Sequence, residues 1–113
     1  MHEYGIVQSL LLRVEEESRR CGALAVHRVH LRLGELSGVE GDLLREAYTV
    51  FRERSICADA DLKIVCSKAS WECGRCGREV EAGSRLWCSA CDAPARLVTG
   101  DEIVLERIEM EVA

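Results

Sequence analysis

Four cysteines in the second half of the chain have the spacing of a metal site. Cys73, Cys76, Cys88 and Cys91 form a C-x2-C-x11-C-x2-C pattern within CGRCGREVEAGSRLWCSAC. Each C-x2-C turn can present two thiolates to one ion, and four sulfurs at about 2.3 Å complete a tetrahedral shell around Zn²⁺. Because that shell leaves no open position for a substrate, the pattern predicts a structural zinc site.

Paired cysteines also support other chemistries, which this sequence fits less well. A redox dithiol of the thioredoxin type is expected beside a βαβ unit and needs no second pair. An iron–sulfur cluster also takes four thiolates, and the paired spacing disfavours it without ruling it out. Buried thiols that cluster by chance are a third alternative. Burial as small apolar side chains is the expectation for the remaining cysteines, Cys21, Cys57 and Cys66.

The charge of the cysteine-rich segment bears on nucleic acid, which many zinc modules bind. Residues 70–96 contain four arginines and four acidic residues. Four thiolates around one zinc ion add about −2. The whole chain has a formal net charge of −5. A phosphate-binding surface needs clustered positive charge, so the sequence predicts no nucleic-acid partner.

A second candidate site lies at the start of the chain, which reads MHEYGIV. The terminal amine of Met1, the amide nitrogen of His2 and the His2 imidazole can all reach one ion, and Glu3 can add a further amide. Nitrogen donors of this kind suit Ni(II) or Cu(II) in tetragonal geometry better than zinc. From residue types alone, the simpler interpretation is a surface histidine beside a helix start. Both interpretations stay open at this point.

The elements that must position these residues are predicted from apolar periodicity. Apolar residues at helical spacing predict a first helix over residues 3–20, and a second apolar stripe predicts a helix from Asp42 onward. The segments AVHRVHLRL, DLKIVC and DEIVLERIEMEV favour strands. In the first of these, alternation places His27 in the core and His30 toward solvent or the open face of the sheet.

This order of elements predicts an α+β fold in which two helices cover one face of a three-stranded sheet. The cysteine-rich segment loops out between the second and third strands as an inserted zinc ribbon with four cysteine ligands. We therefore expect an α+β domain over residues 1–69 and 97–113, and a zinc-binding domain over residues 70–96.

Length and composition limit the class of protein. With 113 residues, 48% of them hydrophobic and 31% charged, the chain fits one globular domain carrying a small module. No signal peptide and no apolar run of membrane-spanning length are visible, so we expect a cytoplasmic protein with no membrane partner. No Ser/His/Asp set or phosphate-binding loop is apparent, and nothing in the sequence indicates an enzyme.

Four features together resemble the HypA/HybF family of hydrogenase maturation factors. They are MHE at the start, VHLRLGELSGV before the second helix, the two C-x2-C pairs, and GDEIVLERIEME near the end. The likeness extends over nearly the whole chain, with the motifs in order. The chain departs from the family at the second cysteine pair, where Ser89 and Asp92 stand in place of the usual proline and glycine of CPxCG.

The resemblance implies a nickel metallochaperone that binds Ni(II) at its N-terminus and assists nickel insertion into NiFe-hydrogenase precursors. It places the nickel site at Met1, His2 and Glu3, which makes the α+β domain the nickel-binding domain. It places the structural zinc at the four paired cysteines. The implied partners are a nickel-binding GTPase and the large-subunit precursor of the hydrogenase, and we expect a monomer or weak homodimer.

Two alternatives from other classes remain. A zinc-ribbon adaptor for nucleic acid would bind RNA or DNA in a salt-dependent manner and would not need His2. A nickel-responsive sensor or scaffold would change its association on binding nickel without passing the metal on.

Overall fold

The computed structural model describes residues 2–81, 83 and 85–113 of the chain. It divides into two compact units. The first, the helical unit, comprises the chain up to Arg32 together with Val39–Val65 and Val104–Ala113. The second, the cysteine unit, comprises Leu33–Gly38 and Cys66–Ile103.

The described residues form two α-helices, one short 3-10 helix and seven strands. In chain order these are α1 (His2–Cys21), β1 (Ala23–Gly34), α2 (Gly41–Phe51), the 3-10 helix (Arg52–Arg54), β2 (Asp61–Ser67), β3 (Ser70–Cys73), β4 (Glu79–Val80), β5 (Trp87–Cys88), β6 (Ala93–Thr99) and β7 (Ile103–Val112). The strands form a three-stranded sheet in the order β2-β1-β7 and a four-stranded sheet in the order β4-β3-β6-β5. The predicted α+β fold, with its ribbon of paired cysteines, is confirmed.

Helix α1 is amphipathic, with a buried stripe made by Val7, Leu10, Leu11 and Val14. Residues three and four apart share one face of a helix, so this stripe turns into the core of the helical unit. Gly22 follows the helix with a φ of 66°, the left-handed conformation that commonly ends a helix. Neither α1 nor any other helix in the described part of the chain is long and apolar enough to span a membrane.

Helix α2 and the 3-10 helix after it are anchored on one main-chain carbonyl group. The buried Tyr48 hydroxyl donates a hydrogen bond of 2.8 Å to the carbonyl oxygen of Ala60. The Arg52 guanidinium donates to the same oxygen at 2.9 Å and lies 5.7 Å from the centroid of the Tyr48 ring. Leu44 and Ala47 of α2 are also buried, so the apolar face of this helix is turned into the core.

The central strand β1 does not alternate as the sequence predicts. His27 has 60% of its side chain exposed, whereas His30 is only 9% exposed. Val26 and Val29 are both buried while the two residues between them are exposed, so the burial pattern changes phase within the strand. For this reason the prediction of a core His27 was wrong, and His30 is the more buried of the two histidines.

The cysteine unit includes the glycine-rich loop that follows β1. The amide of Leu36 donates a hydrogen bond of 2.6 Å to the carbonyl oxygen of Gly100. A Cβ atom at Gly34 would lie 2.1 Å from that same carbonyl oxygen, so only glycine fits at this approach. The cysteine unit is therefore larger than the range of residues 70–96 that was predicted for the zinc-binding domain. The division into a nickel-binding and a zinc-binding domain stays a prediction.

Candidate metal centres

Both cysteine pairs are positioned by strand β6. Strand β3 ends at Cys73 and pairs antiparallel with one side of β6, and β5 ends at Cys88 and pairs with its other side. These two cysteines lie opposite residues only two positions apart on β6. Cys76 and Cys91 lie in the turns that follow the two strands. The sheet thus brings together two cysteine turns that are separated in the sequence.

The four sulfur atoms are close enough together to hold one ion. They all lie within 4.8 Å of one another, and the Sγ atoms of Cys76 and Cys88 are 3.9 Å apart. A tetrahedral shell with zinc–sulfur distances of about 2.3 Å needs sulfur atoms about 3.8 Å apart. All seven cysteines are free thiols. The donor set and its spacing therefore fit a structural zinc ion, which these four cysteines would hold.

Main-chain amides and crowding shift the pKa values of the thiols in opposite directions. The amides of Cys76 and Arg75 hydrogen-bond the sulfur of Cys73 at 3.4 and 3.3 Å, and they lower the pKa of Cys73 to about 6. The hydrogen bond that Cys91 shares with Cys76, together with desolvation, raises the pKa of Cys91 to about 12. Four thiols this close cannot all ionise alone, and a divalent cation between them would supply the missing positive charge.

The second candidate site lies in the first turn of α1. The His2 side chain is 63% exposed, and its Nε2 atom lies 3.6 Å from the Glu3 carboxylate. The first amides of an α-helix have no acceptor within the helix, so those of His2 and Glu3 are not held in its hydrogen-bond ladder. Met1, the remaining residue of the predicted nickel site, lies outside the described residues.

The Glu3 carboxylate is held at the start of α2. Its side chain is only 14% exposed, and Oε2 accepts a hydrogen bond of 3.3 Å from the amide of Glu40, the residue before α2. Hydrogen bonds from its own amide and from that of Glu40 hold the pKa of the Glu3 carboxyl below its usual range. Glu3 therefore ties the first turn of α1 to a position 37 residues later, a contact that no local pattern in the sequence indicates.

Comparison with known proteins assigns the chain to one family. A family model described as "Hydrogenase/urease nickel incorporation, metallochaperone, hypA" matches residues 1–110. The chain belongs to the HypA family. This confirms the resemblance found in the sequence motifs.

Curated relatives and solved structures support membership of the HypA family over the full length of the chain. The chain is 40% identical to hydrogenase maturation factor HypA of Wolinella succinogenes, covering 98% of this chain and 96% of the relative. It is 35% identical to that of Aquifex aeolicus, covering 99% of both chains. Among solved structures, the solution structure of the nickel metallochaperone HypA from Helicobacter pylori matches with a TM-score of 0.77 at 32% identity, covering 98% of each chain. A second HypA solution structure matches with a TM-score of 0.82 at 33% identity, covering 100% of this chain and 98% of the other.

The two cysteine turns of this chain share a left-handed residue after the cysteine pair, although the second turn has aspartate there in place of glycine. The residue after each C-x2-C pair is left-handed, with φ of 74° at Gly77 and 49° at Asp92. Aspartate adopts this conformation more readily than most residues because its short side chain can hydrogen-bond locally. The Asp92 carboxylate accepts a hydrogen bond of 3.0 Å from the indole of Trp87, and the Arg85 guanidinium lies 5.3 Å from the centroid of that ring.

The three cysteines outside the ribbon do not share one environment. Cys57 is buried as predicted, but Cys21 and Cys66 are exposed, so that part of the prediction was wrong. Cys21 is the last residue of α1, beyond the buried stripe of that helix. Cys66 lies near the end of β2, on the strand face where Leu62 is buried, Ile64 is half-buried and Cys66 is exposed.

Proposed function

We propose that this chain is a nickel metallochaperone that binds Ni(II) through Met1, His2 and Glu3 and assists its insertion into NiFe-hydrogenase precursors. The observation that carries the proposal is the position of His2. An exposed imidazole stands on the first residue of a helix, in a chain whose family is described by nickel incorporation. The chemistry of imidazole and amide nitrogens suits Ni(II).

The two residues after Met1 have different parts in this site. His2 supplies the imidazole and its amide nitrogen. Glu3 supplies its amide nitrogen, which must lose its proton, and with it the hydrogen bond to the Glu3 carboxylate, in order to bind nickel. The same carboxylate accepts a hydrogen bond from the Glu40 amide and so fixes the first turn of α1. Ligands from adjacent residues do not enclose the ion, and a partner protein can compete for an open coordination position. Such a site suits a metal that must be passed on.

The zinc ion proposed at Cys73, Cys76, Cys88 and Cys91 is structural. Its thiolates would fill all four coordination positions, which leaves none for nickel or a substrate. The ribbon has a small buried cluster of its own, formed by Cys73, Cys88 and Ala93 with Cys91 packed against it. Because three of those residues are ligands, zinc binding and folding of the ribbon are expected to be coupled.

The partners that follow from this function are a nickel-binding GTPase and the large-subunit precursor of a NiFe-hydrogenase. We place the chain in the cytoplasm as a monomer or weak homodimer, where its seven free thiols are compatible with a reducing compartment. A family name that includes nickel incorporation requires a protein that receives the metal, and these two partners are the candidates.

Native mass spectrometry of the untagged protein, with and without added Ni(II), tests the nickel site. We expect one zinc and one nickel per parent chain, and zinc alone in His2→Ala. The matched control is His27→Ala, because the His27 side chain is 60% exposed and that of His2 is 63% exposed. Nickel retained by His2→Ala, or lost equally from His27→Ala, would show that the ion is held elsewhere.

A transfer assay separates a chaperone from a sensor or scaffold. Nickel-loaded protein is mixed with a hydrogenase large-subunit precursor and the nickel-binding GTPase, and the nickel content of the precursor is followed with time. We expect transfer from the parent protein and none above background when His2→Ala has been pre-incubated with nickel and desalted. Nickel that remains on the parent chain throughout would favour the sensor.

A further inference from the structure

The open face of the three-stranded sheet contains a cavity of about 360 Å³ in the helical unit. We call it the cationic cavity, and it is lined by His30, Lys63, Val65, Glu106 and Arg107. All three strands contribute, since these residues come from the central strand β1 and from the two edge strands β2 and β7. Neither proposed metal site includes any of them.

The carboxylate that is hydrogen-bonded to His30 of the cavity already has cationic partners. Glu109 hydrogen-bonds Nε2 of the buried His30, and Arg107 and Arg28 lie 3.5 and 3.9 Å from the same carboxylate. The hydrogen bond from His30 is the largest of the effects that lower the pKa of Glu109, so this carboxyl is ionised near neutral pH. An ionised carboxylate accepts, and therefore Nε2 carries the proton and donates to it.

Because Nε2 of His30 carries the proton, it cannot accept a hydrogen bond from Arg107. Its guanidinium lies 3.1 Å from Nε2 of His30, but a nitrogen that donates to Glu109 has no lone pair for a second donor. The Arg107 side chain is 66% exposed. Arg107 is therefore held beside the cavity by charge attraction, with donors that can turn toward a ligand.

Positive charge is in excess around the cavity. Glu106 is paired with Arg32 at 3.4 Å. Lys63 has no hydrogen bond or ion pair within residues 2–81, 83 and 85–113, and it faces the cavity from the opposite edge of the sheet to Arg107. Four lysine and arginine side chains thus surround two glutamates, in a chain whose formal net charge is −5. The net charge of these six groups is positive, opposite in sign to that of the chain as a whole.

We propose that the cationic cavity docks an acidic segment of a partner protein, with a carboxylate placed between Lys63 and Arg107 above His30. Charge complementarity selects the occupant, because an ionised carboxylate would meet one lysine without a partner and one arginine with free donors. The cavity is too wide and open for a lone oxyanion to fill. The exposed side chain of Val65 offers apolar contact to the methylene groups of a glutamate.

Phosphate-rich polymers fit this surface less well than an acidic peptide. Nucleic acid needs a continuous track of positive charge. Here Glu106 lines the cavity and Glu109 is hydrogen-bonded to His30, which also lines it, so a closely spaced row of phosphates would meet carboxylates as well as cations. An acidic peptide can place one side chain between the two basic residues and turn its others away.

An NMR titration of the isotope-labelled, zinc-loaded full chain tests the proposal directly. The probe is a blocked hexapeptide of alternating glutamate and aspartate, and the control peptide has glutamine and asparagine in their place. We expect saturable shifts of the amides of His30, Lys63 and Arg107 with the acidic peptide only. Raising the salt from about 50 to 300 mM should weaken them, because screening acts within about 10 Å. No shift of these amides at low salt would overturn the proposal.

Charge reversal tests the specificity of the site. Lys63→Glu should weaken peptide binding roughly tenfold, because an attractive pair becomes a repulsive one. Arg19→Glu makes the same change in net charge at the exposed end of α1 and should alter binding by less than about twofold. Equal weakening by both variants would mean that only net charge matters, and the proposal would fail.

Two further measurements distinguish peptide docking from small-anion binding and from metal binding. Inorganic phosphate at the same charge concentration should not saturate the same amides. If it does so as tightly as the peptide, the cavity is a small-anion site and the docking proposal is wrong. Lys63→Glu should keep nickel and zinc stoichiometry unchanged, and His2→Ala should bind the peptide as the parent does. The docking surface and the proposed nickel function can therefore fail separately.

Discussion

Replacing Gly77 with alanine should weaken zinc binding without disturbing the rest of the fold. Gly77 follows the first C-x2-C pair with φ of 74°, and its amide donates a hydrogen bond of 3.0 Å to the carbonyl of Cys73. A Cβ atom built at this position meets nothing within 4 Å. The cost of alanine is therefore one of backbone conformation alone, because no neighbouring group has to move.

The size of this effect follows from the left-handed conformation. An L-residue other than glycine pays about 1–2 kcal/mol to hold it. Since zinc binding and folding of the ribbon are expected to be coupled, most of this strain should count against the zinc-bound state. A cost of that size corresponds to roughly 5- to 30-fold weaker zinc binding.

Competition with a chromophoric zinc chelator measures the change, and Gly22→Ala is the matched control. Gly22 also has a left-handed backbone, with φ of 66°, and also has nothing within 4 Å of a built Cβ atom. It ends α1 in the helical unit, so its replacement should lower the unfolding temperature while leaving zinc affinity unchanged. Equal zinc affinity in Gly77→Ala and the parent would refute the assignment of strain to the zinc-bound turn.

Two other substitutions test separate parts of the structure. Gly34→Ala should strongly destabilise the cysteine unit, because its Cβ atom would lie 2.1 Å from the rigid main-chain oxygen of Gly100; a thermal melt that matches the parent would contradict this close approach. Glu109→Gln should lower the free energy of unfolding near neutral pH. The pKa of Glu109 is lower in the folded state than in the unfolded state, so its ionised carboxylate stabilises the fold at a pH above the unfolded pKa. That difference should shrink as the pH falls below about 4.3 and through the folded pKa, and urea unfolding at several pH values would show a constant difference if Glu109 were not involved.

The cysteine ligands were predictable from sequence because their geometry is mostly local. Each C-x2-C turn positions two sulfurs by itself, and only the meeting of the two turns requires the sheet. Strand β6 supplies that step by pairing with both β3 and β5. The left-handed turn at Asp92 was less predictable, because the sequence has no glycine there to indicate it. The Asp92 carboxylate accepts a hydrogen bond from the Trp87 indole, and this contact is visible only in the structure.

The environments of the histidines were not predictable from local pattern. A strand that alternated from Val29 backward would bury His27, but β1 changes phase between Val26 and Val29. The partner of His30 is Glu109, 79 residues later, and nothing near either residue in the sequence joins them. Pairing between distant strands decides which side chains share a face, and a single sequence shows only the periodicity within each strand.

The two proposed metal sites differ in what would have to move for an ion to leave. The cysteine ligands belong to turns fixed on both sides of one strand, and two of them, Cys73 and Cys88, are buried. Release of zinc would open the small cluster that forms the core of the ribbon. At the other site, the His2 side chain is 63% exposed at the start of a helix. Of the two residues there that the structure describes, Glu3 is the one with a contact to another element. Release of nickel would need rotation of one side chain and exchange of terminal ligands, while α1 keeps its packing. That difference is what a protein requires if it must retain one metal and transfer the other.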